Sequence, residues 1–272
     1  MPGLRTLASV SLLLVLAGCG APASDLDWQP AGLGRSGWEG ARTSADGRSI
    51  LITFTGGPQF DADDHCTVAY RAVVNETPSE VRVEVLSASP SSWGGGSCND
   101  MGHVRTLDID LTQPLAGRRL VQVDVERERP VFDGSRLVEP SWLPDGWELT
   151  SERPGYPDPE SVTSWARAWA GQRPPPVRGR CISTDTGLLL TQGSTDLLDK
   201  QRSIGDNPVR AHDVNGHLAS YQEGGQPPSA RLSWSDGERG FVLDAVPGCE
   251  GDAPASEEKL LRFARGLSSP HS

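Results

Sequence analysis

Two stretches in the second half of the chain decide the fold: VRAHDVNGHLASY at residues 209–221 and RLSWSDGERGFVLDA at residues 231–245. In the first, apolar and polar side chains alternate on both sides of Asn215-Gly216, the dipeptide most typical of a two-residue hairpin turn. The second turns at Asp236-Gly237 between two apolar segments. The two stretches therefore predict consecutive hairpins of an antiparallel sheet.

A helix is predicted directly after these hairpins. Ser256 is a favourable N-cap residue, and Glu257 and Glu258 fall in the first turn, where the helix dipole favours negative charge. The apolar stripe of this helix is formed by Leu260, Leu261, Ala264 and Leu267. Three earlier strands are predicted at residues 145–152, 161–170 and 181–192. Residues 138–270 are thus predicted to form an α+β domain with a curved antiparallel sheet and a C-terminal helix.

Residues 46–130 show a two-residue period without a helical stretch. Five strands are predicted there, at residues 50–55, 66–75, 81–85, 106–111 and 121–125. This half-buried pattern is typical of an antiparallel β-sandwich and resembles the immunoglobulin-like modules of exported bacterial proteins. The charged and proline-containing stretch 126–141 separates this domain from the second one. The fold is predicted to be mainly β.

The N-terminus predicts export. Arg5 precedes an apolar run at residues 7–16, which is too short to span a hydrocarbon core of about 30 Å. The run ends in Leu16-Ala17-Gly18-Cys19, which resembles the lipobox of bacterial lipoproteins. That resemblance implies removal of a signal peptide, residues 1–18, and attachment of a lipid with acyl chains such as palmitate to Cys19. An ordinary secretory peptide with a chance cysteine is the alternative.

Two acyl chains anchor a protein stably to a bilayer, whereas one binds only marginally. The protein is therefore predicted to be held on the extracytoplasmic face of the cell membrane through Cys19. Residues 19–45, rich in Gly, Ala, Ser and Pro, are predicted to be a flexible tether, from which Trp28 or Trp38 can dock onto the first domain. The formal net charge of −11 gives no basic face, which excludes nucleic acid as a partner.

Four cysteines follow the predicted anchor: Cys66, Cys98, Cys181 and Cys249. An even number in an exported protein indicates disulfides, with three possible pairings. The pairs Cys66–Cys98 and Cys181–Cys249 are favoured because each pair lies within one predicted domain. No C-x-x-C sequence supports a thioredoxin-type or zinc site.

The second domain resembles a family of domains of unknown function at the extracytoplasmic C-termini of Gram-positive sporulation and anti-sigma proteins. The resemblance is carried by residues 143–146 (LPDG), 214–216 (VNG) and 232–237 (LSWSDG) and by the apolar stripe of the predicted helix. It implies a sheet-and-helix shape related to periplasmic lipoprotein carriers and sensors, which bind acyl chains or partner proteins. It implies no catalytic residues.

The sequence contains no hydrolase elbow, P-loop or metalloprotease motif, and no cofactor is expected. Ser256 and Lys259 fit S-x-x-K, but a helix cap explains the serine. The acidic stretch Asp61, Asp63, Asp64 and His65 is the best candidate for a calcium site. If Cys66–Cys98 forms, Asn99, Asp100 and His103 approach the same edge. A solvated acidic loop is the alternative.

Three tryptophans are candidate binding residues. Trp93 lies in a glycine- and serine-rich loop, where it can stack on a sugar ring, anchor a protein partner, or fold back over the Cys66–Cys98 bridge. Trp165 and Trp169 share one face of a predicted strand. With Leu189 they line either an apolar groove open to a lipid-like ligand or a closed core. His212 and His217 flank the hairpin turn and can face each other, although ordinary strand positions are the alternative.

Taken together, these patterns indicate a non-enzymatic binding or sensor module of the cell envelope, with an unknown envelope protein or lipid-like ligand as its partner. Two other interpretations remain open. One is a structural spacer, and the other is an envelope hydrolase with dispersed catalytic residues.

Overall fold

The computed structural model describes residues 34–58, 66–88, 102–155, 164–171, 187–200, 207–224, 229–246 and 255–268. The fold is mainly β, with several sheets and a short C-terminal helix, which confirms the predicted fold class. Among the described residues, no helix is both long and apolar enough to cross a membrane.

Two sheets packed face to face form the N-terminal half. Their strands are β1 (Gly34–Ser36), β2 (Gly40–Thr43), β3 (Ser49–Gly56), β4 (Ala69–Glu76), β5 (Glu80–Ala88), β6 (His103–Asp110), β7 (Arg119–Gln122), β8 (Arg127–Glu128) and β9 (Val131–Phe132). One sheet has the order β1-β5-β7-β8 with β4 also paired to β5, and the other has the order β6-β3-β2-β9. Buried side chains at alternate positions of β3 and β5, such as Ile52 and Val83, fill the space between them.

Two short pairings in this sandwich are parallel rather than antiparallel. They join β5 to β7 and β2 to β9. The strand predicted at 121–125 also ends early, at Gln122. Val125 lies in a turn and is 55% exposed, next to Glu126 with a φ of 49°. The alternation of valines continues into this turn, but the chain reverses there so that β8 pairs with β7.

Within the predicted tether at 19–45, residues 34–36 and 40–43 form strands instead of a flexible segment, and Trp38 docks onto the first domain as predicted. β1 pairs with β5, β2 pairs with β3, and Trp38 between them is only 1% exposed. The Trp38 indole Nε1 lies 3.5 Å from the carbonyl oxygen of Val83, to which it donates. Burial of this one large side chain outweighs the weak strand propensity of the surrounding glycines.

In the described part of the C-terminal half, seven strands form one curled sheet. Its strands are β11 (Trp147–Pro154), β12 (Ser164–Gly171), β13 (Gly187–Gly193), β14 (Arg210–Val214), β15 (His217–Gly224), β16 (Ser229–Ser235) and β17 (Gly240–Val246). The order is β11-β12-β13-β17-β16-β15-β14, and every pairing is antiparallel. Both predicted hairpins, β14–β15 and β16–β17, are confirmed.

Helix α2 (Glu257–Arg265) covers one face of this sheet, while the short helix α1 (Leu197–Lys200) follows β13. The Ser256 side chain caps α2 by accepting a hydrogen bond from the Lys259 backbone N–H, as predicted. Leu260, Phe263 and Ala264 are buried against the sheet. The two strands β10 (Glu139–Pro140) and β18 (Leu267–Ser268) pair with each other, so the segment after α2 contacts the segment before β11.

The stretch 126–141, predicted only as a boundary, is part of the packed structure. Phe132 and Leu137 from this stretch form one buried cluster with Leu51 of β3 and Trp165 of β12. Beside that cluster, Arg42 Nε lies 2.6 Å from Glu152 Oε2, and both side chains are largely buried. The two predicted domains therefore share a core and an ion pair.

The hairpin turn between β14 and β15 gives a direct test of the turn chemistry. Asn215 has a φ of 54° and Gly216 a φ of 86°, so both occupy the left-handed region that a two-residue turn of this type needs. We expect Asn215→Ala to lower the free energy of unfolding by about 1–2 kcal/mol, and Asn215→Gly to change it by less than about 0.5 kcal/mol. Urea denaturation of both variants measures this. Equal losses would mean that the side-chain hydrogen bond, not the backbone, stabilises the turn.

Candidate binding cavity

Most predicted site residues lie outside the described part of the chain, and their predictions stay predictions. These are Cys19, Asp61, Asp63, Asp64, His65, Trp93, Cys98, Cys181 and Cys249. Cys66 is described and is disulfide-bonded, but the proposed pairing with Cys98 stays a prediction. In the described ranges, no three His, Cys, Asp or Glu side chains lie close enough together to hold a metal ion.

Trp165 and Trp169 do not line an open groove, so the groove prediction is wrong for these two residues. Trp165 is 0% exposed and Trp169 is 3% exposed. Phe132 from the junction covers Trp165, with ring centroids 6.1 Å apart, and Phe263 of α2 packs edge-on against Trp169 at 5.3 Å. The alternative interpretation, a closed core, describes this face, because the first domain and the helix supply its cover.

The two histidines of the hairpin lie on the same face of the sheet but not opposite each other. His212 pairs in register with Ala219, and His217 pairs with Val214, so the two imidazoles occupy diagonal positions. They lie near opposite ends of α2. His212 lies near the helix N-terminus, where its Nε2 is 2.8 Å from Glu257 Oε1, and His217 lies near the C-terminal end.

At that C-terminal end, the space between α2 and the sheet is not completely filled. A cavity of about 170 Å³ lies between the helix, the two hairpin turns and the junction, and we call it the end cavity. Six apolar side chains line it: Val138, Val214, Trp234, Phe241, Ala264 and Leu267. Four polar side chains complete the lining: Asn215, His217, Asp236 and Arg239.

An ion pair fixes one side of this rim. Arg239 Nη2 lies 2.7 Å from Asp236 Oδ2, and Arg239 Nε donates to the same oxygen at 2.8 Å. Asp236 Oδ1 accepts from the backbone N–H groups of Glu238 and Arg239. Although burial raises the pKa of Asp236, these hydrogen bonds outweigh burial and hold it below the ordinary value of a carboxyl. Asp236 is therefore ionised and its charge is balanced locally.

The opposite side of the rim carries polar groups with spare hydrogen-bonding capacity. Asn215 donates through Nδ2 to the carbonyl oxygen of Arg265 at 3.2 Å, which leaves Oδ1 as an acceptor. The His217 imidazole is half-buried and makes no hydrogen bond or ion pair with any residue that the structure describes. This side of the cavity can donate to a ligand and accept from it.

The helix that forms the cavity wall is tied to the edge strand at both ends. Near its C-terminus, Arg265 donates through Nε and Nη2 to the carbonyl oxygen of Asp213, at 3.1 and 2.9 Å. Near its N-terminus, Arg210 Nη2 lies 2.7 Å from Glu257 Oε2 and 3.1 Å from Glu223 Oε1. These contacts hold α2, with Ala264 on the cavity wall, against the β14–β15 hairpin.

Tyr221 connects the N-terminal contacts to the core. Its hydroxyl donates to Glu223 Oε1 at 2.6 Å, and Arg210 lies 4.8 Å from its ring centroid. Burial, the hydrogen bond to Glu223 and the nearby carboxylates raise the pKa of Tyr221. The phenol therefore stays protonated at neutral pH and acts as a fixed hydrogen-bond donor, not as a base.

Sequence reasoning did not find the end cavity, although it quoted several of its residues. Val214 and Asn215, Trp234 and Asp236, and Ala264 and Leu267 all belong to the segments that carried the resemblance to extracytoplasmic domains. Those segments are far apart in the sequence and meet only at this end of the sheet. The sequence signal available for this cavity was a pair of turn dipeptides, one of them close to Trp234. Each dipeptide by itself predicts only a hairpin turn.

No protein-family model, curated protein or solved structure matches the chain.

Proposed function

We propose that this protein is an exported lipoprotein, anchored on the extracytoplasmic face of the cell membrane through Cys19, and that it acts as a non-enzymatic binding module. The observation that carries the binding role is the end cavity, where the junction, two hairpin turns and α2 meet around an apolar floor with a polar rim. Sites for small ligands are typically built in this way. The membrane location is supported by the lipobox-like tetrad and the short apolar run before it.

Two features of the site favour binding over catalysis. Asp236, the carboxylate on the rim, is hydrogen-bonded by Arg239 and by two backbone N–H groups, which lower its pKa and make it a weaker base than an ordinary carboxylate. His217 lines the same cavity without a nucleophile or an orienting carboxylate hydrogen-bonded to it among the described residues. A binding site needs positioned polar groups, and it does not need a nucleophile–base pair.

The anchor is tested by Cys19→Ala. We expect the variant to appear in the medium or to accumulate unprocessed, because acyl chains on Cys19 supply the proposed attachment to the bilayer. Fractionation of cells that express the full chain, with immunoblotting of membrane and medium, measures this. Processed Cys19→Ala protein retained on washed membranes would contradict the proposal, and Cys66→Ala is the matched cysteine control for membrane retention.

The binding role is tested on protein purified from its own membranes. Mass spectrometry of small molecules released on denaturation should identify a compound bound to the wild type. Ala264→Leu should abolish its recovery because the added side-chain atoms enter the cavity, whereas Ala211→Leu on the exposed edge strand should not. Circular dichroism checks that both variants are folded. Equal recovery from Ala264→Leu would move the binding site away from the end cavity.

A further inference from the structure

We propose that the end cavity takes a neutral, hydroxyl-bearing ring the size of one sugar unit, held by His217 and Asn215 beside the Asp236–Arg239 ion pair. This inference rests on the proposed binding function and adds the chemical class of the ligand. It follows from the size of the cavity, its charge balance and the placement of its hydrogen-bonding groups.

Size limits the ligand to a single ring. Sites for drug-sized ligands enclose roughly 300–1,000 Å³, whereas the end cavity encloses about 170 Å³. A whole lipid does not fit in this volume, and a peptide could insert no more than one side chain. A six-membered ring with short substituents matches the space between α2 and the hairpin turns.

Charge balance favours a neutral ligand. Asp236 and Arg239 neutralise each other across 2.7 Å, so the rim offers no net charge to attract an ion. A ligand carboxylate or ammonium would have to leave water without a dedicated partner, which costs much more than burying a hydroxyl group. The chain as a whole carries a net charge of −11, which further disfavours anionic ligands.

The hydrogen-bonding groups suit hydroxyls, which donate and accept at once. The His217 imidazole and the Asn215 amide both line the cavity and together supply donors and acceptors to adjacent ring hydroxyls. The ion-paired Asp236 and Arg239 form a planar polar wall on the same cavity. An apolar side chain from a protein partner would cover these groups without satisfying them, at a cost for each buried unpaired group.

A closed aromatic pair forms the bottom of the cavity. Trp234 and Phe241 stack nearly parallel, with centroids 5.0 Å apart and an interplanar angle of 15°. Both are held rigidly, because they pair in register on β16 and β17 and are 4% and 3% exposed. Arg239 lies over the Phe241 ring, 5.5 Å from its centroid, so the aromatic pair is a closed bottom of the cavity and a ligand ring is held by its hydroxyls against His217 and Asn215.

The test is a binding titration of the full mature chain with N-acetylglucosamine and glucose as neutral ring probes, followed by NMR of the tryptophan indole signals and by calorimetry. Glucuronate is the charged counterpart of the same ring, and hexanoate is an apolar probe. We expect saturable shifts of the Trp234 signal with a neutral sugar, assigned with Trp234→Phe, and affinity at least about ten-fold weaker for glucuronate, since its carboxylate would be buried without a partner.

Variants then locate the site. His217→Ala and Asn215→Gly should each weaken sugar binding about five-fold, the effect of one lost hydrogen bond, and Asn215→Gly keeps the left-handed turn. His212→Ala, on the same face but at the other end of α2, should bind as the wild type does. Absence of any saturable shift with the neutral sugars, or equal weakening in His212→Ala, would overturn the inference. Saturable binding of hexanoate alone, lost in Ala264→Leu, would overturn the sugar class while leaving the binding function standing.

Discussion

Trp165→Ala is expected to lower the free energy of unfolding by about 3–5 kcal/mol, the range for removing a fully buried large aromatic side chain. Trp165 is 0% exposed and lies between Leu51 and Phe132 on one side and its own sheet on the other. The variant leaves a cavity at the point where the two halves of the protein share a core. Guanidinium denaturation monitored by circular dichroism measures the loss.

The same experiment tests whether the two predicted domains unfold together. The wild type is expected to unfold in one transition, and Trp165→Ala in two, because the substitution removes a principal contact that couples the halves. Trp142→Ala is the matched control. Trp142 is only partly buried and stacks on Arg262 at 4.2 Å, away from the shared core, so its loss should stay near 1 kcal/mol. Similar losses for both variants, with one transition retained, would contradict a shared core.

Phe263→Ala is the second substitution with a large expected effect. Phe263 is 0% exposed, and its ring contacts Trp169 of the sheet. Its removal is therefore expected to lower the free energy of unfolding by about 3–5 kcal/mol. A nine-residue helix is too short to persist alone, and so its stability depends on this packing. We expect α2 to exchange its amide hydrogens far faster in the variant, because local unfolding of the helix becomes accessible.

Loss of α2 should also open the end cavity, since Ala264 and Leu267 form one of its walls. Leu261→Ala is the control within the same helix, because Leu261 is only partly buried and its removal should cost less. Hydrogen–deuterium exchange followed by mass spectrometry separates the two variants. Unchanged protection of α2 in Phe263→Ala would mean that the polar ties from Arg210 and Arg265 hold the helix without core packing.

Much of the local structure could be predicted because its signals are local. The Asn215-Gly216 and Asp236-Gly237 turns were recognised from the left-handed backbone that such turns need, and Ser256 from the N–H groups that a helix start leaves unpaired. The helix stripe was predicted with Leu267 and without Phe263. The structure buries Phe263 instead, while Leu267 has already left the helix and pairs with Pro140 in β10 and β18.

The predicted groove failed for a reason that a single sequence does not contain. The two-residue alternation of a strand correctly placed Trp165 and Trp169 on one face of β12. That face is covered by Phe132 and Phe263, which lie tens of residues before and after it in the sequence. Docking of Trp38 was predicted, but the strands on either side of it were not, because they pair with β5 and β3 far along the chain. Glycine-rich composition carries no information about such a distant partner.

The sequence by itself determined which residues alternate across strands, where hairpins turn and where the last helix begins, because each depends on neighbours within a few positions. Only the tertiary structure decided which faces are covered and where an unfilled space remains. Arg42 and Glu152 pair across 110 positions, and the end cavity is enclosed by segments from Val138 to Leu267. Such contacts form when the curl of the sheet and the docking of α2 bring together segments that are far apart in the sequence. A local pattern of residues does not indicate which distant segment it will contact.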